Sequence, residues 1–574
     1  NENDDDGDNR KSFCDEAKDE LKILLQAPRR YFDFVIISCR TPYFENFGYC
    51  YVFPAVFFPV FVIYTISSAG NSILQYALLR DLIENKMDIL PFVVGVTDAT
   101  KAFITIVIGL SQKWNVFTSE IVDKPFGGIL ASVLYIIGSL VLAISTIGPS
   151  LSMKLILYII GSLVMSRGTS LIWSITSQVI KDHGKHQIDN QILREREMNE
   201  ENMLMSKNTD VDAKISQIQV LFRFAASAVG PIFATRVLLQ NLSASNSYLG
   251  LAFLVCCLCT FLILTVRRIH HSNQVDKEDD HDNRIEIGWR EVLPAWFQQK
   301  ICCCCFSSIG SGRSTIDTET GYFNAAWVDC GLLNGLTEVV RSGYERILCL
   351  RALSMGLSST QLAHVLAITG ATAVATFWLS DIADRNRRLA SFLSFFVLGL
   401  GHFGLGMSTS FNGVLISAFL FGIGEGMSTG LRDLHKKDYR HSKGPLGDMS
   451  RLFISKKLDL DLTKDNSIFI ESEAKVLRRK VQGLASPWAD WCGILNSIAV
   501  GIIGRYCGMR FASFTYASIA AFAVYISIAV IPDSRPPFVL GKNDLPMWKN
   551  WLYCNRKTPT ASYVALQPMK LIYS

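Results

Sequence analysis

Residues 389–430 read LASFLSFFVLGLGHFGLGMSTSFNGVLISAFLFGIGEGMSTG. Two apolar runs of about 20 residues, each long enough to cross roughly 30 Å of hydrocarbon as a helix, flank a short polar break at Ser408, Thr409 and Ser410. The one formal charge in the stretch is Glu425, held between Gly424 and Gly426. A soluble helical hairpin carries a charged outer face on each helix, and this one carries none, so the pair reads as two membrane spans.

The same reading extends along the chain in both directions. Apolar windows fall at about 51–70, 91–110, 127–147, 153–179, 215–236, 248–266, 325–346, 361–380, 389–408, 412–430, 485–504 and 511–531. The 574 residues carry 56 Lys plus Arg and 51 Asp plus Glu, are 49% hydrophobic and have a mean hydropathy of +0.25. Setting the windows aside leaves about 330 residues that hold nearly all the charge, close to 30% of that remainder. This segregation excludes one large soluble core, a disulfide scaffold and a disordered chain. The balance of +5 is too small to argue for nucleic acid as a partner. Zinc-finger spacing, a Walker loop and a dinucleotide fingerprint outside the apolar spans are all missing. The expected fold class is all-α integral membrane, with about twelve transmembrane helices in two six-helix pseudo-symmetric bundles.

Basic residues set the expected orientation. Connections after even-numbered spans hold Lys181, Lys185, Arg194, Arg196, Arg267, Arg268, Lys436, Lys437, Arg440 and the run Arg478-Arg479-Lys480. The opposite connections are short and, apart from Arg80, Lys86, Arg341, Arg346, Arg351, Arg505 and Arg510, nearly free of Lys and Arg. Both termini are therefore expected in the cytoplasm, in a multi-pass protein whose membrane the sequence does not name. The domains follow, with approximate bounds from the apolar windows: a tail over about 1–50, a first bundle over 51–266, a linker loop over 267–322, a second bundle over 323–531 and a tail over 532–574. The second bundle carries a cytoplasmic insertion at about 431–484, with a short amphipathic helix expected around Ile468 to Val481. The acidic start, Asn1 to Asp8, is not a cleavable signal peptide, and a first residue other than Met reads as a fragment or a processed product. The sequon Asn241-Leu242-Ser243 falls on the outer face, where N-glycosylation would need it, although so short a match also arises by chance.

Fifteen cysteines, an odd number mostly in spans or cytoplasmic loops, do not make a disulfide framework. Cys302, Cys303, Cys304 and Cys305 follow Trp296, Phe297 and Lys300. Adjacent thiols lack zinc spacing, whereas thiols beside an aromatic and basic segment near a bilayer suit S-palmitoylation; the alternative is an unmodified tract. His364 and His402 stand singly on apolar helices, so neither a metal nor a cofactor is expected.

Equivalent spans of the two halves share small-residue patterns. Ser166-Arg167-Gly168-Thr169-Ser170 aligns with Gly424-Glu425-Gly426-Met427-Ser428, and Ala228-Val229-Gly230 with Ala499-Val500-Gly501. After the eighth window comes Ser380-Asp381-Ile382-Ala383-Asp384-Arg385-Asn386-Arg387-Arg388. On these residues the chain resembles the major facilitator superfamily, most of all its drug and proton antiporter-like branch, best over about residues 324–431. The resemblance makes Asp381, Asp384, Arg385, Arg387 and Arg388 a cytoplasmic gate motif, shortened by one residue and missing from its usual place after the second span. Independently, a carboxylate at a helix end followed by guanidiniums can exchange salt bridges between two rigid bodies, or can serve orientation alone. Gly230-Pro231 resembles a degraded antiporter signature; a Pro in a membrane helix frees a carbonyl, and small residues allow close helix approach.

Charge inside the spans points to function. An ionised side chain at the centre of a membrane helix costs about 2.5–3.5 kcal/mol on the gentlest scale, so one retained there faces water, a partner or a ligand. Asp98 and Lys101, three apart, can neutralise each other. Arg223, near a span end, can snorkel. Asn334, Glu338, Arg341 and Glu345 recur at four, three and four residues, one wet stripe on a helix whose other face is Leu332, Leu333, Leu336, Val339 and Val340. The resemblance implies that spans one, four, seven and ten line a central space, so Arg167, Asn334, Glu338, Arg341 and Glu425 are the candidate solute and proton pathway; fixed salt bridges between the halves are the alternative. Glu425 is the candidate proton carrier, because burial favours its neutral form and a nearby guanidinium its ionised form. The expected function is a secondary active or facilitative transporter of a small organic solute, H+-coupled or not, working as a monomer in a lipid bilayer and not an enzyme. A non-transporting membrane sensor or scaffold of the same fold is the alternative.

Overall fold

The computed structural model describes residues 58–83, 87–110, 125–196, 220–270, 334–381, 387–440, 450–451, 454–455 and 464–529. Among them there is no strand. Helices α1 (Phe58–Asn71), α2 (Ile73–Ile83), α3 (Leu90–Leu110), α4 (Pro125–Ile144), α5 (Leu151–Arg196), α6 (Val220–Leu239) and α7 (Ala244–His270) come from the first half. From the second come α8 (Asn334–Ser354), α9 (Ser359–Thr376), α10 (Arg387–Met407), α11 (Phe411–Arg440), α12 (Lys464–Tyr506) and α13 (Met509–Ala529).

The described part of each expected window falls on a helix, with three departures in extent. The first span does not stop near residue 70, because α1 and α2 part only at Ser72, whose Oγ donates to the Ser68 carbonyl at 2.6 Å. The amphipathic segment around Ile468 is not a separate helix but the start of α12, which runs 43 residues without a break and buries Ile470, Ala474 and Leu477. Helix α5 likewise continues for 46 residues, about 69 Å at the α-helical rise, well past any bilayer core.

Seven helices among the described residues are long and apolar enough to cross a membrane: Ile129–Ile147, Leu151–Trp173, Val220–Leu239, Ser359–Ser380, Leu389–Met407, Phe411–Thr429 and Met509–Ile528. Helix α8 falls short of that standard because it carries Glu338, Arg341, Glu345, Arg346 and Arg351. Large apolar side chains stand outward, with Phe253 69%, Leu495 65% and Ile416 63% exposed. A water-soluble fold does not present so many, whereas hydrocarbon accepts them. The chain is a multi-pass integral membrane protein.

The short connections gather at one end. Thr146 Oγ1 and Ser245 Oγ lie 3.1 Å apart, joining the end of α4 to the start of α7. Gly356 (φ 74°) and Gly508 (φ 86°) close the α8–α9 and α12–α13 turns with backbone that residues bearing a Cβ rarely adopt. Helix α9 then starts with a capping box, the Ser358 hydroxyl accepting from the Gln361 backbone N–H and the Gln361 side chain accepting from that of Ser358. Three arginines at this end that ran against the charge asymmetry are committed locally. Arg351 donates to the Ser408 carbonyl at 3.0 Å and Arg510 to the Gly406 carbonyl at 3.1 Å, capping the C-terminus of α10. Arg505 lies 5.5 Å from the Phe92 and Tyr506 rings.

Helix α4 packs on α5 and α7, α10 on α11 and α13, and α3 on α12. Glycines set the closest approaches between the sequence halves. A methyl at Gly95 would sit 2.6 Å from the Ser497 carbonyl oxygen and 2.9 Å from the Gly501 Cα, and one at Gly370 2.7 Å from the Ala228 nitrogen. Backbones so close leave no room for a Cβ at Gly95 or Gly370. Gly95→Val is therefore expected to force α3 from α12 and to cost about 1–3 kcal/mol, read as an earlier thermal transition of the purified protein in detergent.

Candidate functional site

Helix α8 changes character along its length. Ile347, Leu348, Cys349, Leu350 and Ala352 are fully buried. One to three turns earlier, Asn334, Glu338 and Arg341 are half-buried and Glu345 is exposed, while Val340, Gly343 and Tyr344 behind them are buried. The buried face is fixed by tight packing: Tyr344 stacks on Phe421 at 3.6 Å, and its hydroxyl lies 2.8 Å from Ser417 Oγ. His402 Nε2 lies 2.8 Å from the Val340 carbonyl, and Tyr516 bonds Asn496, whose amide donates to Ser342 Oγ at 2.9 Å. With one face locked in this way, the stripe of Asn334, Glu338, Arg341 and Glu345 has a fixed direction.

Arg341 reaches Glu425 of α11, with NH1 3.4 Å from Oε1 and the two side chains 13% and 8% exposed. The other groups acting on Arg341 are Glu338 and Glu345. Glu425 is held by its glycine neighbours: a methyl at Gly424 would meet Leu398, and one at Gly426 the Thr376 hydroxyl and the Ala373 carbonyl. The sequence reading thus placed Glu338, Arg341 and Glu425 in one cluster, and the structure brings them together. Arg167 is half-buried on α5. Asn334 begins α8 on the same face as Glu338.

The partners of two cations went unrecognised in the sequence. Arg346, taken there as a connection residue, donates from Nε to Asp98 Oδ2 at 2.7 Å, while Lys101 Nζ lies 3.3 Å from Oδ1. The local Asp98–Lys101 pair is therefore a triad that ties α3 to α8. No spacing rule reports a partner 248 positions away. Arg223 was read as snorkelling toward a membrane surface. Its guanidinium lies 4.7 Å over the Trp173 ring of α5, and Trp173 meets Tyr64 of α1 edge-on at 5.8 Å. Arg223 is exposed yet feels Arg341, Glu345, Glu425 and Glu338 of the second half.

The remaining candidates are placed as follows. Asp381 ends a 3-10 turn over Phe377–Asp381, and Arg387 and Arg388 begin α10, with side chains outside the description; Asp384, Arg385 and Cys302 to Cys305 also lie outside the described residues. Asn241 stands exposed in the turn between α6 and α7, its amide donating to the Val237 carbonyl at 2.9 Å. At Gly230-Pro231 the α6 backbone lies so near α1 that a methyl on Gly230 would sit 2.8 Å from the Thr65 carbonyl oxygen. The Thr235 hydroxyl donates to the Pro231 carbonyl at 3.0 Å, and the helix continues as a π-turn over Ala234–Leu239. Among the described residues no group of His, Cys, Asp and Glu could hold a metal ion.

No family model and no curated protein matches the chain. Among solved structures it is similar to a POT family transporter crystallised with a thioalcohol-conjugated peptide, at 14% identity and a TM-score of 0.46, covering 82% of this chain and 94% of that one. It is also similar to a D-xylose–proton symporter, at 11% identity and a TM-score of 0.47, over 84% of this chain and 99% of the other. For the human organic anion transporter MFSD10 (TETRAN) the figures are 11% and 0.39, over 83% and 100%. These are distant likenesses, and shared architecture at such a distance does not carry a shared solute.

Proposed function

We propose that the chain is a secondary transporter that moves a small organic solute by alternating access, its two sequence halves rocking about a central space lined by Glu338, Arg341 and Glu425. Both termini face the cytoplasm in this reading, as the Lys and Arg distribution asks. One observation carries it: a charged helix face is kept half-exposed inside a membrane protein and ion-paired to a carboxylate on another helix. Ionisable groups at that depth mark solute and ion pathways, because burying them only for structure costs more than an apolar replacement. A primary pump would need a nucleotide-binding motif, and an enzyme would need a nucleophile or metal set; the site supplies neither kind of chemistry. Glu425 is the proposed proton carrier, changing partner with Arg341 as the helices move.

The test is uptake into proteoliposomes of a radiolabelled panel of organic cations, anions, zwitterions and sugars, with and without a pH gradient. Saturable uptake of at least one class is expected. In Glu425→Gln the stimulation by the gradient should vanish while downhill exchange survives; full gradient dependence in that variant would remove Glu425 from the proton path. Specific binding with no flux would favour the sensor reading.

A further inference from the structure

Two arginines from different helices meet at the C-terminus of α10. Arg351, at the end of α8, donates from a terminal nitrogen to the Ser408 carbonyl at 3.0 Å, and Arg510, at the start of α13, donates from Nε to the Gly406 carbonyl at 3.1 Å. The two acceptors stand two residues apart on one helix end, about 5 Å by helical geometry, so both guanidiniums are fixed over the same turn. These bonds leave both terminal nitrogens of Arg510, and one of Arg351, for an outside acceptor. Arg351 Nε is buried from water without a hydrogen-bond partner, so solvent does not complete that guanidinium. Among the described residues no carboxylate pairs with either arginine, and the stretches 347–380, 389–424 and 491–532, which hold the turns of the second half at this end, contain no Asp or Glu.

An apolar stripe leads to the same place. Phe396, Leu400, Phe403 and Met407 of α10 recur at four, three and four residues and all stand outward, toward the hydrocarbon. The stripe adjoins α13 at its top: Phe403 lies 5.7 Å from the Phe514 ring, and the Arg510 guanidinium sits 6.0 Å from that same ring. A methyl on Gly406 would meet the Phe514 ring at 2.8 Å, so the missing Cβ is what lets α13 and its arginine come so near the helix end. Two fixed guanidiniums above a hydrocarbon-facing stripe match the two-part chemistry of a phospholipid, since guanidinium forks fit phosphate oxygens and acyl chains cover apolar side chains. We infer that Arg351 and Arg510 bind the phosphate of an anionic phospholipid in the leaflet at this end, with an acyl chain lying along Phe403 and Met407. A choline headgroup would find no acid there for its ammonium, whereas a net negative lipid supplies the counter-charge that this end of the second half lacks.

The experiment uses the full chain, purified in a non-ionic detergent and stripped of lipid, then titrated with dioleoyl phosphatidylglycerol, dioleoyl phosphatidylcholine or inorganic phosphate. Binding is read by native mass spectrometry, with the thermal transition as the check on folding. One phosphatidylglycerol per chain is expected to bind about tenfold or more tighter than phosphatidylcholine. Arg351→Gln and Arg510→Gln should each weaken it about fivefold, and together about twenty-fivefold. Arg505→Gln removes the same charge at the same end, but from a side chain placed against Phe92 and Tyr506, and should leave binding unchanged. Equal binding of the two lipids overturns the inference, as does undiminished binding in the double variant. A matching loss in Arg505→Gln also overturns it, because diffuse attraction to the whole end would then explain the result. Inorganic phosphate bound as tightly as the lipid overturns the lipid in favour of a soluble anion. Should the double variant fail to fold, the unaltered protein still decides: phosphatidylglycerol, and not phosphatidylcholine, is expected to shield Arg510 from modification by phenylglyoxal, mapped on peptides by mass spectrometry, and an unshielded Arg510 overturns the site.

Discussion

Asp98→Ala is expected to lower stability by about 3–5 kcal/mol, the cost of leaving buried cations without their counter-ion. The carboxylate accepts from Arg346 Nε at 2.7 Å and from Lys101 Nζ at 3.3 Å, so its removal strands two positive charges on two helices. The three side chains are 15–18% exposed, and water reaching them places the loss toward the low end of that range. Lys101 has a flexible stem that can turn toward a polar end of the bundle, but Arg346 is flanked by fully buried Ile347 and has a second buried nitrogen, NH1, without a hydrogen-bond partner. Arg346→Met in the Asp98→Ala background should therefore recover most of the loss, because exchanging both partners for apolar groups removes the stranded charge. The measurement is the thermal transition of the four proteins of the cycle in one detergent. A wild-type transition in Asp98→Ala would show that the triad contributes nothing to the contact between α3 and α8.

The contrast between this triad and the other ion pair explains what the sequence could disclose. Apolar length alone located the spans, because a window of about 20 residues without charge has few other uses. Spacing alone gave the stripe of Asn334, Glu338, Arg341 and Glu345, because helical periodicity is a local property. Arg346 lies five residues after Arg341, off that stripe, and its role depends on a residue of α3 that only tertiary packing brings near. Arg223 was invisible for a related reason. Its closeness to a span end allowed an escape to the surface, and its stacking on Trp173 of α5 is a contact between residues 50 positions apart that no local spacing reports. Helix continuity was the other hidden feature: the α12 sequence before the eleventh window is polar enough to read as loop, yet Ile470, Ala474 and Leu477 bury one face and keep it helical.

The larger functional effect should come from Arg341→Ala. Geometry separates this residue from Arg346: at 3.4 Å its contact with Glu425 is longer than the 2.7 Å bond to Asp98, and its Nε is buried without a hydrogen-bond partner. Charge-assisted hydrogen bonds lie near 2.7–2.9 Å, so the Arg341 pair is held together loosely and the Arg346 pair tightly. A loosely held pair on the wet face of α8 is the one that can open when Glu425 gains a proton or a solute arrives. Arg341→Ala is expected to reduce uptake by about a hundredfold or more, since the alternation loses the partner that Glu425 must meet in one of its two states. The structural alternative, a fixed bridge, makes a different forecast. If the pair only holds α8 to α11, Arg341→Ala with Glu425→Ala should restore both stability and uptake by removing the stranded carboxylate together with its partner. If the pair switches, the double variant regains its thermal transition but stays inactive toward a pH gradient. Uptake and unfolding measured on the same four proteins decide the matter: parallel recovery assigns the pair to packing, and recovery of stability alone assigns it to transport.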